Sequence, residues 1–100
     1  MSVLMMLRLK GDAAKLEQLS QDRPSFFPDV TTKAKGLGLI SHRFWATDTE
    51  ILVLDEWETE EGFQTFFAGT PEVGEVMALA GVTEEPVPTF WHPVATGGQG

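Results

Sequence analysis

A predicted β-hairpin in the middle of the sequence constrains the fold more than any other feature. Leu39 to Thr47 and Ile51 to Trp57 are rich in β-branched and aromatic residues, and a short polar turn separates them. A loop of two or four residues gives one register, whereas a loop of three residues would shift every pair by one position. The pairs expected in the first register are Ala46 with Ile51, Phe44 with Val53, and His42 with Asp55.

Both faces of this hairpin are largely apolar. One face is expected to carry Ile40, His42, Phe44, Ala46, Ile51, Val53, Asp55 and Trp57. The other face is expected to carry Ser41, Arg43, Trp45, Leu52, Leu54 and Glu56. Each face must be covered, because every aliphatic side chain left in water forfeits roughly 1.5–3 kcal/mol.

The segments around the hairpin alternate between strand and helix patterns. Strands are expected at Ser2 to Lys10 and at Pro86 to Val94, the second at a sheet edge because its prolines cannot donate backbone hydrogen bonds. A helix from Ala13 to about Gln21 follows Asp12 as its N-cap.

Prolines and glycines break each helical region into two pieces. The breaks and ends fall at Pro24, Pro28 and Gly36 in the first region, and at Gly69 and Gly81 in the second. The second region starts at the capping residue Thr59 and resumes after Thr70, with Pro71 at a first helical position.

The order strand, helix, strand, strand, helix, strand predicts an α+β, ferredoxin-like split βαβ fold. Its four-stranded antiparallel sheet would have helices on one face only. We expect one domain over residues 1–94 and a disordered tail over residues 95–100. Because the strands are apolar on both sides, we also expect a homodimer in which two sheets face each other.

Composition narrows the class of protein. The chain has 100 residues, no cysteine and a formal net charge of -8, which disfavours nucleic acid and anionic membranes as partners. The apolar run Val3 to Leu7 is short, and its charges follow it, unlike those of a signal peptide. We therefore expect a cytoplasmic protein.

His42 and Asp55 form the best candidate for chemistry. A carboxylate beside an imidazole can orient it as a general base, and Trp57 lies diagonally nearby, where it could stack on a flat substrate. The alternative is a structural His–Asp pair at the end of a sheet or in a dimer interface.

Other candidates would bind a ligand. An aromatic pocket could be lined by Trp45, Trp91 and the phenylalanine stripe Phe63, Phe66 and Phe67, although the stripe also fits simple core packing. Arg43 could anchor an anion or pair with Glu56 across the strands. No metal site is expected, because His42 and His92 lack further ligands at suitable spacing.

The stretch Ile51 to Phe67 consists of an apolar strand that ends in Glu56-Trp57, an acidic helix start and an aromatic helix. This stretch resembles the antibiotic biosynthesis monooxygenase-like family. With the order of elements, the resemblance covers nearly the whole chain and implies a dimeric α/β barrel. That family includes cofactor-free oxygenases of aromatic polyketides, haem-degrading enzymes and many members without known activity.

The haem-degrading members resemble one another in an Asn on the first strand, a Trp ending the third strand and a His about ten residues later. Only the Trp has a counterpart here, Trp57, because position 67 is Phe67 and the chain contains no Asn. The sequence therefore predicts no haem and no other cofactor.

We expect a protein that binds a small apolar or aromatic ligand between sheet and helices. The alternatives are a cofactor-independent monooxygenase of a polyketide-like substrate and a purely structural dimer.

Overall fold

The computed structural model describes residues 2–97 and has a four-stranded antiparallel sheet with helices packed on one face. The elements in chain order are β1 (Val3–Lys10), α1 (Ala13–Asp22), α2 (Phe26–Lys35), β2 (Leu39–Ala46), β3 (Glu50–Trp57), α3 (Glu60–Gly69), α4 (Pro71–Leu79) and β4 (Thr89–Trp91). The strands lie side by side in the order β2-β3-β1-β4. This is the ferredoxin-like arrangement predicted from the sequence.

The predicted hairpin register is confirmed, with one exception at its start. His42 lies opposite Asp55, and the pairs toward the turn match the prediction. A β-bulge between Leu39 and Ser41 shifts the first residues, so that Leu39 lies opposite Trp57 in the core. Ile40, expected on the His42 face, is instead 47% exposed. An extra residue in one strand reverses the side-chain alternation beyond it, and no pattern in the hairpin signals that.

The helix boundaries follow local capping chemistry. The side chains of Asp12 and Thr59 accept hydrogen bonds from the backbone N–H groups of Ala14 and Gly62. Thr70 precedes α4 as expected, but its side chain makes no capping bond. Pro28 does not kink α2, because it is the third residue of that helix, where a backbone N–H has no partner within the helix anyway.

The last strand is shorter than predicted. The stretch expected from Pro86 to Val94 forms only β4, which pairs with residues 4–6 of β1 at the edge of the sheet. Prolines on both sides of β4 remove the backbone donors that would extend the ladder. Residues 95–97 of the expected tail have no helix or strand, and residues 98–100 lie outside the described residues.

The core lies between the sheet and the helices. It takes every second residue of β1 and β3, including Met5 and Ile51 at 1% exposure and Trp57 at 0%. The opposite sheet face, which we call the open face, leaves Leu4, Trp45 and Trp91 at least 40% exposed. Among residues 2–97, no helix combines the length and hydrophobicity needed to cross a membrane.

Charged groups occupy one end of the open face. Arg8 of β1 reaches Glu50 of β3 with an Nε–Oε2 distance of 2.7 Å. The hydrogen bond from the Arg8 guanidinium lowers the pKa of the Glu50 carboxyl. This pair is exposed, so it contributes little to stability.

A close approach between α3 and the loop before β2 supplies a test of the packing. A Cβ atom on Gly62 would clash with the carbonyl oxygen of Leu37, whereas Gly74 in α4 has nothing within 4 Å of its Cβ position. We expect Gly62→Ala to lower the free energy of unfolding by about 1–3 kcal/mol because backbone must move. The matched change Gly74→Ala should raise it by about 0.5–1 kcal/mol. Urea denaturation measures both, and equal effects would contradict this packing.

Candidate functional site

A cavity of about 110 Å³ lies between the sheet and helices α2, α3 and α4. Its walls are almost entirely apolar and include Met5 of β1, Phe27 of α2 and Met77 of α4. The polar side chains among its lining residues are Thr31, His42, Asp55 and Glu72. A largely apolar cavity with a few convergent polar groups is the usual form of a small-molecule site.

Three side chains form a hydrogen-bonded chain on the cavity wall. His42 Nδ1 lies 2.6 Å from Asp55 Oδ1, and the indole N–H of Trp57 donates to Asp55 Oδ2 over 3.2 Å. The Asp55 side chain is 7% exposed and that of His42 is 27% exposed. Both carboxylate oxygens are thereby engaged, and the imidazole remains accessible to a small molecule.

The hydrogen bonds of Asp55 with His42 and Trp57 determine which nitrogen of His42 can act as a base. A carboxylate only accepts hydrogen bonds, so Asp55 requires the proton on Nδ1 of the neutral imidazole. The lone pair then resides on Nε2, for which no hydrogen-bond partner exists among residues 2–97. A carboxylate on one ring nitrogen and a free lone pair on the other is the arrangement that general-base histidines use.

Aromatic contacts hold these groups in place. The ring of Phe44 packs edge-on against His42 with centroids 4.5 Å apart, and Phe27 of α2 packs against Phe44 at 5.7 Å. On the other side, Trp57 contacts Phe63 and Phe66 of α3 at 5.7 and 5.6 Å. The two strands bring the polar groups together, and the helices restrict their motion.

The structure divides the predicted ligand-binding residues between two faces. Trp57, Phe63 and Phe67 line the cavity, where Phe63 and Phe67 stack with centroids 5.3 Å apart. Trp45 and Arg43 do not line it, because they lie opposite Leu52 and Leu54 on the open face. After the bulge, strand alternation puts the odd positions of β2 on the side away from His42.

Two further candidates also lie outside the cavity. Trp91 is exposed on the open face, and its indole N–H donates to Thr89. The predicted Arg43–Glu56 pair is absent from residues 2–97, where Glu56 accepts a hydrogen bond from Ser2 instead. In the same part of the chain, no three His, Cys, Asp or Glu side chains cluster in a way that could hold a metal ion.

Sequence reasoning missed the helical side of the cavity. Phe27, Thr31 and Glu72 line it, and none of the three is among the predicted site residues. The one signal for Glu72 is its place directly before Val73, in the first turn of a helix whose Val76 and Met77 also line the cavity. That spacing places Glu72 next to the apolar face of α4.

Known structures share this fold across almost the entire chain. SnoaB, a cofactor-independent oxygenase from Streptomyces nogalater, matches with a TM-score of 0.64 at 15% identity over 98% of both chains. The monooxygenase from the gene ActVA-Orf6 of Streptomyces coelicolor, in complex with nanaomycin D, matches with a TM-score of 0.64 at 19% identity over 95% of this chain and 89% of that chain. The chain has the fold of the antibiotic biosynthesis monooxygenase-like proteins.

A third similar structure is a dimeric ferredoxin-like protein from an uncultured marine organism. Its TM-score is 0.60 at 17% identity, over 94% of this chain and 89% of that chain. No family model matches the sequence, and no curated protein is significantly similar to it. At these identities the likeness shows the fold, so the chemistry has to be argued from the residues of the cavity.

The hydrogen bonds that link His42, Asp55 and Trp57 predict the tautomer of His42. In the unmodified protein, ¹⁵N NMR should show the proton of neutral His42 on Nδ1. In Asp55→Asn, the amide oxygen can still accept from Trp57 while the amide N–H₂ donates to His42 Nδ1, which moves the proton to Nε2. The exposed His92 is the internal control and should not change. A proton on Nε2 of His42 in the unmodified protein would contradict the assigned geometry.

Proposed function

We propose that this protein binds a small phenolic aromatic molecule in the cavity and oxygenates it without a cofactor, with His42 as the general base. The observation that carries the proposal is the engagement of both Asp55 oxygens, by Trp57 Nε1 and His42 Nδ1. This leaves the Nε2 lone pair of an accessible imidazole as the basic group at an aromatic-lined cavity. Such a group can remove the proton of a phenol.

The reaction that we propose balances without any added reductant. His42 Nε2 accepts the phenolic proton, and the phenolate then reacts with dioxygen to form a carbon–oxygen bond. His42 returns its proton to the peroxide oxygen, the ring hydrogen at the oxygenated carbon leaves as a proton, and the O–O bond breaks with departure of hydroxide, which combines with that proton as water. One phenol and one dioxygen thus yield one quinone and one water. The substrate supplies all the electrons that reduce dioxygen. Asp55 stabilises the imidazolium formed in the first step.

Two of the similar structures support this choice. SnoaB is described as a cofactor-independent oxygenase, and the Streptomyces coelicolor protein is a monooxygenase with a bound nanaomycin D. The same fold therefore accommodates oxygenation without a cofactor. For this chain, the support has to come from His42, Asp55 and Trp57 themselves.

The size of the cavity limits the ligand. Ligand sites for drug-sized molecules measure about 300–1,000 Å³, and an apolar cavity of about 150 Å³ accepts benzene. The cavity here measures about 110 Å³, with His42 still accessible at its edge. We propose a ligand with a single ring, because this volume is already below that of the cavity that accepts benzene, and a polycyclic molecule would need far more room.

A second candidate is ligand binding without chemistry. The small, almost wholly apolar cavity favours it, since such a cavity can retain an aromatic molecule without any base. Under this alternative, His42 serves only to hydrogen-bond the buried carboxylate of Asp55. The same holds for a purely structural dimer. Turnover measurements separate these possibilities.

We propose a homodimer formed through the open face. Its exposed apolar residues, Leu4, Trp45 and Trp91, belong to three different strands and form one side of the sheet. Covering them is favourable by about 25 cal/mol per Å² of apolar surface. The dimeric ferredoxin-like protein of similar fold supports this assembly. The cytoplasmic location stays a prediction.

The base has a direct test in oxygen consumption. With a panel of single-ring phenols, we expect His42→Gln to lower kcat for oxygen uptake by roughly 10²–10⁴-fold, the usual contribution of general-base catalysis. Glutamine can still donate to Asp55, so the fold should be retained. His92→Gln is the matched control because His92 is exposed and outside the cavity.

Two results would count against this assignment. Equal turnover by His42→Gln and the unmodified protein would show that His42 is not the base. Binding of phenols by the unmodified protein, with no oxygen uptake at all, would favour the non-catalytic alternative.

The dimer has a test with two leucines of similar exposure. Leu4 on the open face is 40% exposed and Leu79 at the end of α4 is 45% exposed. We expect light scattering to give about twice the chain mass of 11.0 kDa for the unmodified protein and for Leu79→Lys. Leu4→Lys should give a folded monomer, because a lysine there can reach Glu56 but would be costly to bury in the interface. A Leu4→Lys dimer would contradict the proposed interface.

A further inference from the structure

The cavity floor runs from the edge of the sheet toward its middle. His42 belongs to β2, an outer strand, and lies opposite Asp55 of β3, which in turn lies opposite Met5 of β1. Because neighbouring strands are about 4.8 Å apart, the backbone at Met5 is about 10 Å from that at His42. This row of three residues leads from the accessible imidazole into the core.

Exposure to water falls along the same row. At the outer end, the side chain of His42 is 27% exposed and Phe44 is 40% exposed. At the inner end, Met5 is 1% and Phe63 is 3% exposed. Phe63 also packs edge-on against Phe90, with ring centroids 5.6 Å apart. The cavity is therefore open to water beside His42 and closed beside Met5.

The interior of the cavity offers almost nothing that a polar group could bond to. Asp55 already uses both of its oxygens, with His42 and Trp57. Thr31 and Glu72 border the cavity, but its surface is almost wholly apolar, so they contribute very little polar surface to it. A polar group on the inner part of a ligand would lose its hydrogen bonds to water without replacement.

We propose that the substrate is a phenol whose single polar group is the reacting hydroxyl and which carries a short alkyl group on the opposite carbon of the ring. This inference rests on the proposed function, since His42 has to bind the hydroxyl. The opposite carbon then points toward the closed end, while a carbon next to the hydroxyl stays at the open edge. The flexible side chains of Met5 and Met77 make room for the alkyl group.

The alkyl group also decides where oxygen adds. It blocks the opposite carbon, so dioxygen forms its bond to a carbon next to the hydroxyl. That carbon is near His42, which has to return its proton to the peroxide oxygen. The ring hydrogen of this carbon leaves as a proton, and the O–O bond breaks with departure of hydroxide. One 4-methylphenol and one dioxygen thus yield one 4-methyl-1,2-benzoquinone and one water.

Two pairs of ligands that differ by a methyl and a hydroxyl group test this substrate class. 4-Methylphenol and hydroquinone differ on the carbon opposite the reacting hydroxyl, whereas 2-methylphenol and catechol differ on the adjacent carbon. Isothermal titration calorimetry uses the full chain without oxygen, so that binding is measured and no ligand is oxidised. We expect 4-methylphenol to bind about 10–100-fold more tightly than hydroquinone, as apolar pockets prefer a methyl to a hydroxyl group. The second pair should differ much less, because its substituent can stay in contact with water.

A matched pair of variants locates the selection at the inner end. Glutamine is similar in length to methionine, and its amide can hydrogen-bond a second hydroxyl. Met5→Gln should therefore reduce the preference for 4-methylphenol over hydroquinone. Met6→Gln should retain it, because Met6 lies on the other side of the same strand and does not line the cavity. Thermal unfolding followed by circular dichroism checks the fold of both variants.

Each outcome decides the matter. A large ratio of affinities in the first pair only, reduced by Met5→Gln, supports the inference. A ratio in the first pair no larger than that in the second overturns it and leaves the phenol site intact, as does an equal preference in folded Met5→Gln and Met6→Gln. Binding of none of the four ligands overturns the proposed function as well. The two pairs in the unmodified protein suffice if Met5→Gln fails to fold.

Discussion

The site depends on a carboxylate placed inside an otherwise apolar core. Burying a charged group is costly unless it is hydrogen-bonded, and Asp55 meets that requirement through His42 and Trp57. The antiparallel register of β2 and β3 supplies the first partner, because His42 and Asp55 lie directly opposite. The alternation of β3 supplies the second, two residues further along the same face. One pairing register therefore satisfies Asp55 and fixes the tautomer of His42.

The sheet also separates two surfaces with different tasks. Odd positions of β1 and β3 form the core and the cavity, while the even positions form the open face. Aromatic residues occur on both sides, with Trp57 in the core and Trp45 in solvent. A ligand site and an assembly surface can thus coexist in one small sheet without sharing a side chain.

Local rules in the sequence were enough to predict the sheet, the hairpin pairing and the caps at Asp12 and Thr59. Non-local packing was not predictable in this way. The bulge at Ile40 depends on how β2 meets β3 after the Gly38 turn, and the side of the sheet covered by helices decides whether Trp45 or Phe44 faces the cavity. Glu72 was missed because a single acid in a first helical turn gives the same pattern whether or not its residue borders a cavity.

The most direct test of the central claim is ¹³C-methyl NMR of the methionines during titration with 4-ethylphenol. Met5 and Met77 line the cavity, and Met6 lies on the opposite side of the same strand as Met5. A phenol bound between sheet and helices should shift the methyl signals of Met5 and Met77 and leave that of Met6 unchanged. A shift confined to Met6, or no shift at saturating ligand, would contradict a ligand site in this cavity.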